Sequence, residues 1–107
     1  MTIEKFIKKL QSYKNQDCYE KWIYCENSKI IYTIEAFNIL NNTCFIWLND
    51  SDDCKTNYTP KSLVRDLSPY TKWQKDFIIE FVDDERNEVY TENSFYTEFD
   101  NLYINMR

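Results

Sequence analysis

Apolar residues recur along this chain in two rhythms, and each rhythm occurs twice. Ile3, Phe6, Ile7 and Leu10 fall at i, i+3, i+4 and i+7, one stripe of a helix. Thr2 precedes the stripe as a capping residue, Lys5, Lys8 and Lys9 take the opposite side, and Tyr13 extends the stripe by three. The stripe returns further on: Leu63, Val64 and Leu67 match Phe6, Ile7 and Leu10 at an offset of 57, and Tyr70 matches Tyr13. Thr59 is then the cap. Pro60 takes the first helical position, where its missing N–H costs nothing. Ser68-Pro69 predicts that this second helix ends or kinks early.

Each helix precedes three runs rich in β-branched and aromatic residues. They are residues 19–25, 30–39 and 43–48, then 77–82, 88–97 and 102–106. Glu26-Asn27-Ser28, Asn41-Asn42, residues 83–87 and Asp100-Asn101 separate the strands. The chain has no glycine, so asparagine is expected wherever a turn needs positive φ. At an offset of 58, Ile31-Tyr32-Thr33 aligns with Val89-Tyr90-Thr91, Phe37 with Phe95, and Ile46 with Ile104. The predicted fold is α+β: a tandem α-β-β-β repeat, with antiparallel sheet and two helices packed on one side. One domain is expected over residues 1–107, its units at 1–50 and 59–107 joined by a polar linker at 51–58. Units of roughly 50 residues rarely hold a core alone, so a shared core is expected.

The two long middle strands differ on one face. Strict alternation places Ile31, Thr33 and Phe37 on one side in the first unit, and Val89, Thr91 and Phe95 in the second. Glu35 and Asn93 interrupt these sides at the same point. The other side carries Ile30, Tyr32, Ile34 and Ala36 in one unit but Glu88, Tyr90, Glu92 and Ser94 in the other. Two isoleucines have become glutamates, so the expectation is that Glu88, Tyr90, Glu92 and Tyr96 face water. The apolar counterpart in the first unit then needs a cover: the linker, a helix or another chain, which leaves a homodimer open.

Charge follows the same division. Residues 1–57 carry a net −1 and residues 58–107 a net −4. Between residues 76 and 100 there are nine acids and one base, Arg86. A field of one sign attracts a basic partner and repels nucleic acid. The candidate partner-binding residues are Glu80, Asp83, Asp84, Glu85, Glu88, Tyr90, Glu92 and Tyr96. The competing reading of the same acids is a solvated surface that keeps the chain dispersed.

Composition excludes several chemistries. Without glycine there is no Walker loop or Rossmann fingerprint. Without histidine there is no serine triad and no His-dependent nuclease, and the commonest zinc ligand is missing. Cys18, Cys25, Cys44 and Cys54 lack the paired C-x2-C knuckles of a zinc site and read as small buried hydrophobes. Glu88 and Glu92 lie roughly 13 Å apart along a strand, too far for a catalytic dyad. Asp83-Asp84-Glu85 and Asp50-Ser51-Asp52-Asp53 lack the spacing of a calcium loop and read as wet turns. The expectation is a non-enzyme with no cofactor, no metal and no direct nucleic-acid contact. The first residues lack a signal peptide's apolar run, and no stretch is long enough for a membrane span. A reducing, cytoplasmic location with free thiols follows as an expectation.

Abundant Asn, Ile, Lys and Tyr give the composition an AT-rich character. In size, acidity and composition the chain resembles the small, cofactor-free inhibitors of phages and mobile elements, among them anti-CRISPR and anti-restriction proteins. The resemblance covers no motif and carries no residue across. It implies a DNA mimic acting in the host cytoplasm against a defence nuclease. The function expected is inhibition of a basic, nucleic-acid-binding protein through an acidic, tyrosine-bearing surface. The alternatives are a toxin-immunity protein and a structural module that dimerises.

Overall fold

A computed structural model describes residues 1–50 and 58–107 of the 107-residue chain. Helix α1 spans Ile3–Gln11 and α2 spans Pro60–Leu67; both start as their caps require. The Thr2 hydroxyl accepts the Lys5 N–H at 3.2 Å. Thr59 and Ser62 form a reciprocal box, each side-chain oxygen accepting the other's backbone N–H at 3.0 and 2.9 Å. The stripes Ile3, Phe6, Ile7, Leu10 and Leu63, Val64, Leu67 are buried. Tyr13 lies beyond the end of α1 and packs against the core from the following turn. α2 stops before Ser68-Pro69, but the chain keeps winding through a 3-10 turn, Ser68–Tyr70, and one helical turn, α3, Thr71–Gln74.

Seven strands follow from the six expected. They are β1 Ile23–Glu26, β2 Ile31–Leu40, β3 Thr43–Asp50, β4 Ile78–Asp83, β5 Glu88–Tyr90, β6 Glu92–Glu98 and β7 Asn101–Met106. The first run starts later than its composition predicts, because Asp17–Glu20 forms a 3-10 turn that buries Cys18. The run 88–97 is two strands. All seven lie in one sheet, ordered β5-β4-β3-β2-β1-β7-β6.

That sheet is mixed, which corrects the antiparallel expectation. β1 runs parallel to β7, with Ile23 opposite Leu102 and Cys25 opposite Ile104. β3 runs parallel to β4, with Cys44 opposite Ile79 and Ile46 opposite Phe81. Each parallel pair joins one half of the chain to the other. β5 and β6 stand at opposite edges of the order, yet only Thr91 separates them in sequence. The sheet must therefore curl until its edges meet. Thr91 sits at that closure and exchanges two backbone hydrogen bonds of 2.9 Å with Arg107.

One core fills the concave side and draws on both halves of the chain. Phe6 of α1 spans the curl: its ring lies 6.2 Å from Phe81 on β4 and 6.2 Å from Phe95 on β6. The free N–H groups of the first turn of α1 are satisfied where β4 begins, Ile3 donating to the Phe77 carbonyl at 2.9 Å and Glu4 to that of Lys75 at 3.0 Å.

The face assignment of the middle strands needs a correction in both units. Tyr32 and Ile34 are fully buried with Phe37 beside them, whereas Ile31 is exposed. The cause is a bulge at Glu35, where the β2–β3 register shifts by one residue. A second bulge sits at Asn93 in β6, against β7. One extra residue reverses the alternation beyond it, so Phe37 and Phe95 point inward while Val89 and Thr91 point out. Tyr32 and Ile34 of that face are thus covered inside a single chain, with Ile30 half-buried and Ala36, past the bulge, exposed.

Candidate functional site

The β4–β5 turn is built around Asp83, the most deeply buried acid among the described residues. It lies on the inner face of β4, in register with Glu88. The Tyr32 hydroxyl donates to Asp83 Oδ2 at 2.7 Å, and Arg86 Nη1 reaches the same oxygen at 3.0 Å. The Arg86 backbone N–H donates to Oδ1 at 3.1 Å and closes the turn. Burial by itself raises the Asp83 pKa, but these hydrogen bonds outweigh it and hold the carboxyl below the ordinary range. Arg86 also forks onto Asp50 at 3.0 and 3.1 Å, with its own pKa raised by Asp50 first and Asp83 next.

From Tyr32 the polar chain continues around the mouth of the curl. Asn27, in the β1–β2 turn, donates to the Tyr90 hydroxyl oxygen at 3.0 Å and, more weakly, to that of Tyr32 at 3.4 Å. Its own side-chain oxygen accepts the N–H groups of Lys29 and Ile30 at 2.8 Å each. The Tyr90 hydroxyl donates to Glu88. Desolvation, then the bond to Glu88, raises the Tyr90 pKa. Tyr32 is raised further, by burial and by its bond to Asp83. Both phenols therefore stay protonated and serve as donors to the two carboxylates, which fastens the mouth. Beside it lies an open cleft of about 770 Å³ that mixes Glu26 and Glu88 with Lys29, Arg86 and Arg107.

The residues expected to form one wet face fall in four places. Glu88 is exposed, and Tyr90 is half-buried over Tyr32 with ring centroids 6.3 Å apart. Glu92 points into the concave side opposite Met106, its carboxylate 2.8 Å from the Met1 ammonium and its side chain 11% exposed. It is a half-buried ion-pair member rather than a fully wet residue. Tyr96, past the Asn93 bulge, lies on the outer face opposite Tyr103. Glu80 is half-buried on the outer side of β4, and Asp84 and Glu85 are exposed on the turn. Asp83 is held internally, so Asp83-Asp84-Glu85 does not act as one cluster. Of Asp50-Ser51-Asp52-Asp53, Asp50 is the Arg86 partner and the rest lie outside the described residues, as does Cys54.

The outer face of β1, β7 and β6 holds a row that the sequence pattern did not single out. Tyr24, Tyr103 and Tyr96 stand directly opposite one another on three neighbouring strands. Centroids are 5.4 Å apart for Tyr24–Tyr103 and 5.1 Å for Tyr96–Tyr103, the latter pair inclined by only 11°. The Tyr96 hydroxyl donates to Glu26 on β1. Alternation in Leu102-Tyr103-Ile104 marks Tyr103 as outward; the parallel neighbour Tyr24 is too distant in sequence to be anticipated.

Among the described residues, no group of three or more His, Cys, Asp or Glu side chains is placed to hold a metal ion. No helix of the described residues is long and apolar enough to cross a membrane. Compared with known proteins, the chain matches no family model, no curated protein and no solved structure.

Proposed function

We propose that this chain is a protein-binding inhibitor that uses carboxylates to occupy Lys and Arg side chains of a nucleic-acid-binding protein. One observation carries the reading: the sole base between residues 76 and 100, Arg86, is neutralised from within by Asp83 and Asp50. Glu80, Asp84, Glu85, Glu88, Glu98 and Asp100 form no ion pair among the described residues. Their field is directed outward from a rigid sheet, which favours rapid association with a basic surface. A host defence nuclease in the cytoplasm is the target class that the resemblance in size and composition implies.

The reading includes an internal duplication of an α-β-β-β unit. Shifting β7 back by 58 and β1 forward by 56 converts the pairs Ile23–Leu102 and Cys25–Ile104 into Ile79–Cys44 and Phe81–Ile46, which are the β4–β3 pairs. The bulge residues Glu35 and Asn93 also stand 58 apart. One unit then supplies a neutral scaffold, and its copy has acquired the acids.

The test is capture from the lysate of an AT-rich bacterial host at low and high salt, with wild type and an Asp84→Lys, Glu85→Lys, Glu88→Lys variant. A basic nucleic-acid-binding protein should be captured at low salt and released at high salt. The variant should bind it at least about tenfold more weakly, roughly 1.4 kcal/mol. Equal capture by the variant, or capture only of partners that ignore salt, overturns the reading.

A further inference from the structure

Ile23, Cys25, Leu102 and Ile104 are fully buried, so Tyr24 and Tyr103 between them face away from the core. With Tyr96 they make a continuous aromatic row three strands wide. Two carboxylates border it: Glu26 accepts the Tyr96 hydroxyl, and Glu98 lies two residues beyond Tyr96 on β6. Neither carboxylate has a cationic partner among the described residues. The rings sit in a negative field: burial first, then Glu98 and Glu26 among the nearby groups, raises the Tyr103 pKa. Tyr24 and Tyr96 flank the Tyr103 ring, so the ring face left to a planar cation is that of Tyr96 on the last strand of the order, beside Glu98.

We infer that this row is a docking platform for an arginine side chain of a protein partner, its guanidinium lying on the outward face of Tyr96, the end of the row at the last strand of the sheet order, and forking onto Glu98. This deepens the inhibitor reading and rests on it, because it supplies the contact that reads arginine rather than positive charge alone. A guanidinium is flat, weakly hydrated and bidentate; a lysine ammonium is a hydrated point charge that stacks poorly and cannot fork. Nucleic-acid bases also stack on tyrosines, but the bordering carboxylates repel their phosphates.

The test uses labelled nona-arginine and nona-lysine peptides, titrated with the full chain at low salt and followed by fluorescence anisotropy. Wild type should bind the arginine peptide about fivefold more tightly than the lysine peptide, the size of one exposed cation–ring contact. Tyr96→Leu should abolish that preference while leaving the weaker charge-driven binding, Tyr96→Phe should keep it, and Glu98→Gln should weaken both peptides. Circular dichroism of each variant establishes that it is folded. Equal binding of the two peptides by wild type, or a preference that survives Tyr96→Leu, overturns the platform. If binding persists but responds only to the Asp84, Glu85 and Glu88 reversals, the platform fails and the inhibitor reading stands. If neither peptide binds, both fail.

Discussion

Asn41 and Phe99 open two hairpin turns with the same left-handed φ of 52°, and each is followed by a residue at 62°, Asn42 or Asp100. Asparagine tolerates this region because its short side chain bonds locally; a bulky aromatic is an outlier there. Phe99 is 84% exposed, so packing does not offset the strain. Phe99→Asn, which copies the other turn, should therefore raise stability by about 1 kcal/mol. For a domain of this size that is a gain of roughly 4 °C or more in Tm, read by thermal circular dichroism. A lower Tm would mean that the Phe99 ring stabilises the fold.

Asp83 should give the fold part of its acid sensitivity. Its carboxyl is held below the ordinary aspartate range because the bonds from Tyr32 and Arg86 outweigh the cost of burial. A folded pKa below the unfolded one adds stability above the unfolded value, near 4, and loses it as pH falls through the folded value. Asp83→Asn should cost about 2 kcal/mol at pH 7. In urea melts the gap from wild type should be smaller at a pH below the unfolded value than at pH 7. An equal gap at both pH values would show that Asp83 is not ionised in the fold.

Glu88 and Glu92 should respond unequally to charge reversal, although both were expected to be wet. Glu88→Lys changes an exposed side chain and should shift stability by no more than about 0.5 kcal/mol. Glu92→Lys places an ammonium beside that of Met1 in a largely enclosed site and should cost about 3 kcal/mol. Chemical denaturation of the two single variants decides it, and equal midpoints would remove Glu92 from the concave side.

Cys18, Cys25 and Cys44 should resist alkylation at pH 8 until the chain unfolds. All three are buried, and desolvation pushes the Cys44 thiol up to about 12 and that of Cys25 higher still. The thiolate is the reactive form, so little is present at pH 8. Mass-spectrometric mapping with and without urea should show labelling at these positions only in urea. Rapid labelling of Cys25 in the folded chain would contradict its place between β2 and β7.

The helices, their caps, the asparagine turns and most strand positions were legible in the sequence. Each depends on contacts within a few residues: Thr59 needs only Ser62, and Asn41 only its own φ. The partner-binding face was not legible in the same way. Glu35 and Asn93 were visible as polar interruptions, but whether such a residue faces inward or forms a bulge depends on the strand beside it. That choice reverses every side chain on one side of the interruption, which is how Glu92 came to lie inside and Tyr96 outside. The tyrosine row was equally hidden, because Tyr24 meets Tyr103 only through a parallel pairing of strands from opposite halves of the chain. By itself the sequence determined which residues are apolar, where helices begin and that the acids gather in residues 76–100. The curl of the sheet decided which of those acids reach water, because burial is shared among all strands at once and no local pattern encodes it.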